Sequence, residues 1–199
     1  MLTGNTSAPA VVVFGRQNEL LDVVLEEFRR RGDVAIYGGA LTVSPEEAGS
    51  TDERSRRIDL EQLRANTDSV LVIIDDEMLE SILREDHSRR SRKMLRTEED
   101  QIAEFVTDSV VSADPDRLLV LGDARGATPA ERPQAVRWVR QLTARIGYEC
   151  SINGTDDFAT TYEVLGPDDD VARTARSIAQ WHDGRLGRQP DRPPALSGA

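Results

Sequence analysis

Short apolar runs alternate along this chain with longer segments in which apolar residues recur every three or four positions, so the pattern reads strand, helix, strand, helix. Val11-Val12-Val13-Phe14 is the first run. It passes through Gly15 into a helix that starts near Asn18 as N-cap and carries Leu20, Leu21, Val24, Leu25 and Phe28 on one side. Arg29-Arg30-Arg31 puts positive charge at the negative end of that helix, and Gly32 stops it. Val34 to Tyr37 is the second strand, closed by Gly38-Gly39. Ser44 to Arg57 is polar and turn-rich, a surface loop, and Ile58 to Ala65 reads as a short helix. The run Val70-Leu71-Val72-Ile73-Ile74 that follows has no polar alternation, which demands a central strand buried on both faces.

The second half repeats the scheme. Met78 to Leu83 continues helically, and a helix is expected from Thr97 to Ala113, with Thr97 and Asp100 as a capping-box-like start and Asp114-Pro115 as the stop. Leu118 to Leu121 is a strand ending at Gly122-Asp123. A helix opens at Pro133, turns Val136, Val139, Leu142 and Ile146 inward, and is expected to end at Gly147, with Tyr148 to Ile152 as a strand. Thr160 to Leu165 adds another strand, and Asp169 is expected to cap a last helix whose apolar side is Val171, Ala172, Ala175, Ile178 and Ala179. From Arg185 the residues lose periodicity and read as a disordered tail. The class is therefore α/β: a three-layer, Rossmann-like, doubly wound and mainly parallel sheet, a single domain over residues 11–184 behind a flexible segment 1–10.

Composition narrows the partners. The 199 residues are 38% hydrophobic and 31% charged with a net charge of -11, a balance that argues against a general nucleic-acid binder. The single cysteine, Cys150, can form no internal disulfide, fits a reducing cytoplasm, and is expected to be a buried, inert thiol. No apolar run reaches membrane-spanning length, and Met1 to Ala10 has neither the basic region nor the apolar stretch of a signal peptide, so a soluble cytoplasmic protein with no membrane contact is expected.

Ligands of open α/β sheets bind beyond the carboxyl ends of the strands, and the residues there are the candidates. Gly15-Arg16-Gln17-Asn18 follows the first strand, Asp75-Asp76-Glu77 the run at Val70–Ile74, and Asp123 the strand after it. Three carboxylates in a row can hold a hard cation or a ligand hydroxyl, but an aspartate pair ahead of a helix is more often a cap. Receiver domains also use strand-end aspartates. They pair two acids after strand one and place a lysine after strand five, where this chain has Arg16-Gln17 and Asn153-Gly154. Arg84, Arg89, Arg90, Arg92, Lys93 and Arg96 form a basic segment in an acidic chain, read as a solvated loop or as an arm for an anionic ligand or partner. No aromatic residues interleave with it, as single-stranded nucleic acid would require. His87 is expected to be exposed; neither it nor His182 has partners at metal spacing, so no metal site is expected. Trp138 and Trp181 read as core or interface anchors rather than cofactor stackers.

The order of elements resembles the NAD(P)-binding short-chain dehydrogenase/reductase superfamily, in its extended and atypical, epimerase-like or NmrA-like branches. Arg57-Ile58-Asp59-Leu60-Glu61-Gln62-Leu63 resembles the family's acidic D-x-x-x-L turn, Asp68-Ser69-Val70-Leu71-Val72-Ile73 its next strand, and Asp169-Asp170-Val171-Ala172-Arg173 its late helix start. The resemblance implies NAD or NADP as cofactor, held by Gly15, Arg16, Gln17, Asn18, Asp59 and Asp75, with Arg16 replacing backbone contacts by charge. This chain departs from the family in two places. Gly15 stands alone, with Asn18 and Leu21 where later glycines fall, and between Gly122 and Gly147 there is neither the tyrosine nor the lysine of the catalytic pair, although Thr128 lies near the family's serine position. Two readings follow: a non-catalytic or regulatory nucleotide-binding relative, and a divergent NAD(P)-dependent oxidoreductase or isomerase acting on a small organic substrate. The strand at Val34 to Tyr37 ends without the acid or arginine that would choose between NAD and NADP.

Overall fold

The computed structural model describes residues 10–41, 67–84, 89–155 and 158–184, with the side chains of residues 84, 89–96 and 98 outside the description. In chain order the elements are β1 (Ala10–Phe14), α1 (Glu19–Arg31), β2 (Val34–Gly39), β3 (Thr67–Ile74), α2 (Asp76–Arg84), α3 (Arg89–Ala113), β4 (Arg117–Asp123), α4 (Arg132–Ile152), β5 (Ala159–Leu165) and α5 (Val171–His182). The strands form one sheet in the order β2-β1-β3-β4-β5, and every pairing is parallel. This is a Rossmann-like doubly wound α/β fold. β1 runs between β2 and β3, in register with Val12 opposite both Ile36 and Val70. The chain reverses its winding between β1 and β3, which makes the carboxyl ends of those two strands the switch point.

Alternation along each strand divides the core. Val11, Val13, Leu71, Ile73, Leu119 and Leu121 face α1 and α5, where Leu20, Leu21, Val24, Phe28, Ile178 and Trp181 cover them. Val12, Val70, Val72, Ile74, Leu118 and Val120 face α2, α3 and α4, against Leu79, Ile102, Val106, Trp138, Leu142 and Ile146. Both tryptophans are buried in these layers. Asn18 caps α1 by accepting from the Leu21 amide at 2.9 Å, and Gly32 closes that helix in the left-handed conformation. Among the described residues no helix is long and apolar enough to cross a membrane.

Several expectations are corrected. Gly147 does not end α4: the helix runs to Ile152, so residues 148–152 are helical and β5 is the strand that follows. A Cβ at Gly147 would lie 3.0 Å from the Thr160 methyl group, so this glycine lets helix and strand approach closely rather than breaking the helix. α3 begins at Arg89, not at Thr97, because Arg, Lys, Met and Leu in residues 89–96 are good helix formers that carry the helix upstream; that part of the basic segment is helix, not loop. The cap of α5 is Asp170, which accepts from the Arg173 amide at 2.6 Å, one residue after the position expected. Asp169 instead accepts from the Gly166 amide at 2.7 Å, and Ala172 is exposed. The loop Ser44 to Arg57, the helix Ile58 to Ala65, residues 1–9 and the tail from Arg185 lie outside the described residues.

Candidate functional site

At the switch point the β1–α1 turn meets the end of β3. Gly15 is buried with φ +156, and a Cβ there would sit 3.0 Å from the carbonyl oxygen of Ile73 and 3.1 Å from its Cβ. The lone glycine therefore serves the contact between β1 and β3. Its amide donates to the Gly39 carbonyl at 3.0 Å and its carbonyl accepts from the Tyr37 hydroxyl at 2.9 Å, so both backbone groups are used inside the protein. Burial pushes the Tyr37 phenol above its ordinary range.

The next residue closes the mouth. Arg16 extends to β3's end, its Nε 3.6 Å from Oδ2 of Asp75, and its terminal nitrogen hydrogen-bonds to Glu77. Asp75 is only 3% exposed and also accepts from the Met78 amide at 2.8 Å, capping α2. The cap reading of this aspartate holds, with an ion pair added. Gln17 is exposed, and the Asn18 side chain is spent on its own helix. Glu19 and Asp22 occupy the first turn of α1, where they already complement the helix dipole and repel a phosphate. Of the expected cofactor residues, the fold thus gathers Gly15, Arg16 and Asp75 and leaves Gln17 in solvent and Asn18 as a cap. Asp59 lies outside the described residues.

One strand further on, Asp123 is buried and held by the Arg125 side chain through two hydrogen bonds, 2.9 Å from Nε and 2.8 Å from Nη2, with the Arg125 amide donating a third at 3.2 Å. This pair was not foreseen, although an arginine two residues after a strand-end aspartate is a signal that sequence carries. A cleft of about 180 Å³ opens between α2 and the β4–α4 loop, lined by Asp76, Leu79, Glu80, Asp123, Thr128 and Glu131 among others. None of Gly15 to Asn18 lines it. Thr128 is tied to Glu131 in the turn before α4, its amide and hydroxyl both donating to that carboxylate at 2.9 and 2.7 Å, so it is engaged within the loop rather than free for a substrate. After β5 stand Gly166 and Pro167, so the comparison with receiver domains, made on Asn153-Gly154, moves to these residues and again meets no lysine. No cluster of metal-ligand type occurs among the described residues.

A nicotinamide dinucleotide makes three demands of this geometry. It needs free amides at the start of α1, room above the glycine turn and positive charge toward the pyrophosphate. Here the backbone of Gly15 is engaged, its Cα packs against Ile73 of β3, and Arg16 is neutralised by Asp75 and Glu77. The residues present do not fit the group. Cys150 is fully buried in α4, and burial pushes its thiol up to about 11, which makes it unreactive.

No family model matches the chain, and no curated protein matches it significantly. Two crystal structures of a GDP-L-fucose synthetase from Naegleria fowleri, one bound to NADP, are similar to it at a TM-score of 0.45 each, with 9% and 8% identical residues. They align over 90% and 86% of this chain and 60% and 63% of theirs, so the chain spans less than two thirds of those proteins. That likeness assigns no ligand, activity or residue role here.

Proposed function

We propose that this chain is a non-catalytic, regulatory member of the Rossmann-type α/β proteins, in which the place of a cofactor's phosphates is taken by an internal ion pair. The observation that carries the reading is Arg16 bridging Asp75 and Glu77 across the switch point. A nucleotide or small anion can gain Arg16 only by stripping it from a buried carboxylate, Asp75, and from Glu77 beside it. Hydride transfer with proton exchange also needs a positioned acid, and the helix that should carry one, α4, has neither tyrosine nor lysine before Gly147. The reading places the chain in the cytoplasm, as the lone cysteine and acidic surface support.

The test is titration of purified protein with NADH and NADPH, followed by reduced-nicotinamide fluorescence and by thermal shift, because a ligand that binds only the native state raises its stability. No change at millimolar cofactor is the expected result. Saturable binding abolished by Arg16→Glu would overturn the reading and restore the oxidoreductase alternative.

A further inference from the structure

The opposite edge of the sheet, where the strands begin, holds a buried polar group that the switch point does not use. His182 is the last residue of α5 and is 4% exposed. Its Nδ1 lies 2.5 Å from Oγ of Ser69, a fully buried residue of β3, and its ring stands edge-on to Phe28 of α1, centroids 5.5 Å apart at 87°. One imidazole thus joins three elements. Its other nitrogen, Nε2, is buried with no hydrogen-bond partner among the described residues.

Charged groups face it from every side. Asp33 follows α1, Asp68 belongs to β3, Asp183 adjoins it in sequence and Arg117 comes from β4. Arg31 bridges Asp33 at 3.0 Å and also pairs with Asp183, so two of the three carboxylates are already matched by a cation. Arg117 donates to the carbonyl of Trp181 at 3.1 Å, placing a second cation at the end of the same helix.

We propose that His182 is a pH-sensitive fastener, which seats the end of α5 on β3 and α1 while neutral and releases it when protonated. Protonation puts a hydrogen on both ring nitrogens. Ser69 Oγ can accept from Nδ1, but the hydrogen on Nε2 would meet no acceptor among the described residues, and a buried cation left unpaired is costly enough to favour the released state. Desolvation by burial is the largest influence on the ring and lowers its pKa below the ordinary value, in spite of the acids, so the neutral form is the resident one near pH 7. Release is local to the last turn of α5, which holds Trp181 and His182 and ends at Gly184 in the left-handed conformation, φ +70. Acidification would then uncover Phe28 and Trp181 along the seam between α1 and α5.

The experiment uses the full chain labelled with ¹⁵N, taken from about pH 8 to about pH 5 across the range where histidine titrates. Ring ¹⁵N shifts report His182, and amide hydrogen exchange, corrected for intrinsic rates, reports Ala179 to His182. The expected result is a ring midpoint below the ordinary histidine value, with protection at the end of α5 falling by up to about tenfold per pH unit between that ordinary value and the ring midpoint, while β1 and β3 stay protected. His182→Gln abolishes that response and His87→Gln, the other histidine, preserves it. Protection of α5 equal at both ends of the range, or loss only together with the whole sheet, would overturn the proposal. Should His182→Gln fail to fold, the wild-type protein decides: a fall in α5 protection that does not begin near the ordinary histidine value and level off at the ring midpoint sinks the idea.

Discussion

Nε of Arg16 lies 3.6 Å from the carboxylate of Asp75, a pair in which the acid is almost wholly buried and the base about half exposed. That asymmetry sets the cost of breaking it. Arg16→Ala should destabilise the protein by about 1 kcal/mol, more than an ordinary surface pair because a buried carboxylate loses its cation, less than a fully buried one because water screens the arginine. Asp75→Ala, which also removes the cap of α2, should cost about 2 kcal/mol. A double-mutant cycle by urea unfolding in low and high salt checks both; a coupling energy of zero would remove the pair from any account of the fold.

Gly15→Ala tests what the lone glycine is for. With a positive φ and a new Cβ 3.0 Å from the Ile73 carbonyl oxygen, the substitution should cost about 1 to 3 kcal/mol in denaturant unfolding. A near-neutral effect would show that β1 and β3 can part at their ends.

Asn18 separates a cap from a ligand contact. Asn18→Ala should lose about 1 kcal/mol while Asn18→Ser and Asn18→Asp hold stability within a few tenths, as measured by thermal unfolding. Equal losses in all three would mean that the amide nitrogen of Asn18, not its oxygen, matters.

The thiol of Cys150 has its pKa raised in the fold, from an ordinary 9.0 to about 11 by burial. Between those values the unfolded chain releases a proton that the folded chain keeps. Stability is therefore full below about pH 9 and falls toward about pH 11, by on the order of 2 kcal/mol, a decline that Cys150→Ala should lack. Below pH 9, thiol reagents should modify Cys150 only as fast as the protein opens.

Where strands are wholly apolar, sequence and structure coincide. Val70 to Ile74 reads as a central strand because nothing polar interrupts it, and it lies between β1 and β4. Capping chemistry is legible at Asn18, Gly32 and Asp75 for the same local reason. Gly147 misleads because its small size answers a contact with Thr160, thirteen residues on, which no local pattern contains. Thr97 misleads because a capping residue and an ordinary helical residue look alike when good helix formers precede it. At the switch point, Arg16 and Asp75 are both legible as candidates, but only the fold shows that each is the other's partner. His182 is opaque in sequence, since Ser69 and Phe28 lie more than a hundred residues away.

An all-parallel sheet contains no hairpin, so none of its five strands can find a neighbour by simply turning back. β1, the first to leave the ribosome, must wait for residues 67–74 before its second flank is satisfied. Assembly of this molecule is governed by long-range encounters, and a nascent chain halted short of β3 presents Val11 to Phe14 as a bare, sticky edge, a natural substrate for chaperones.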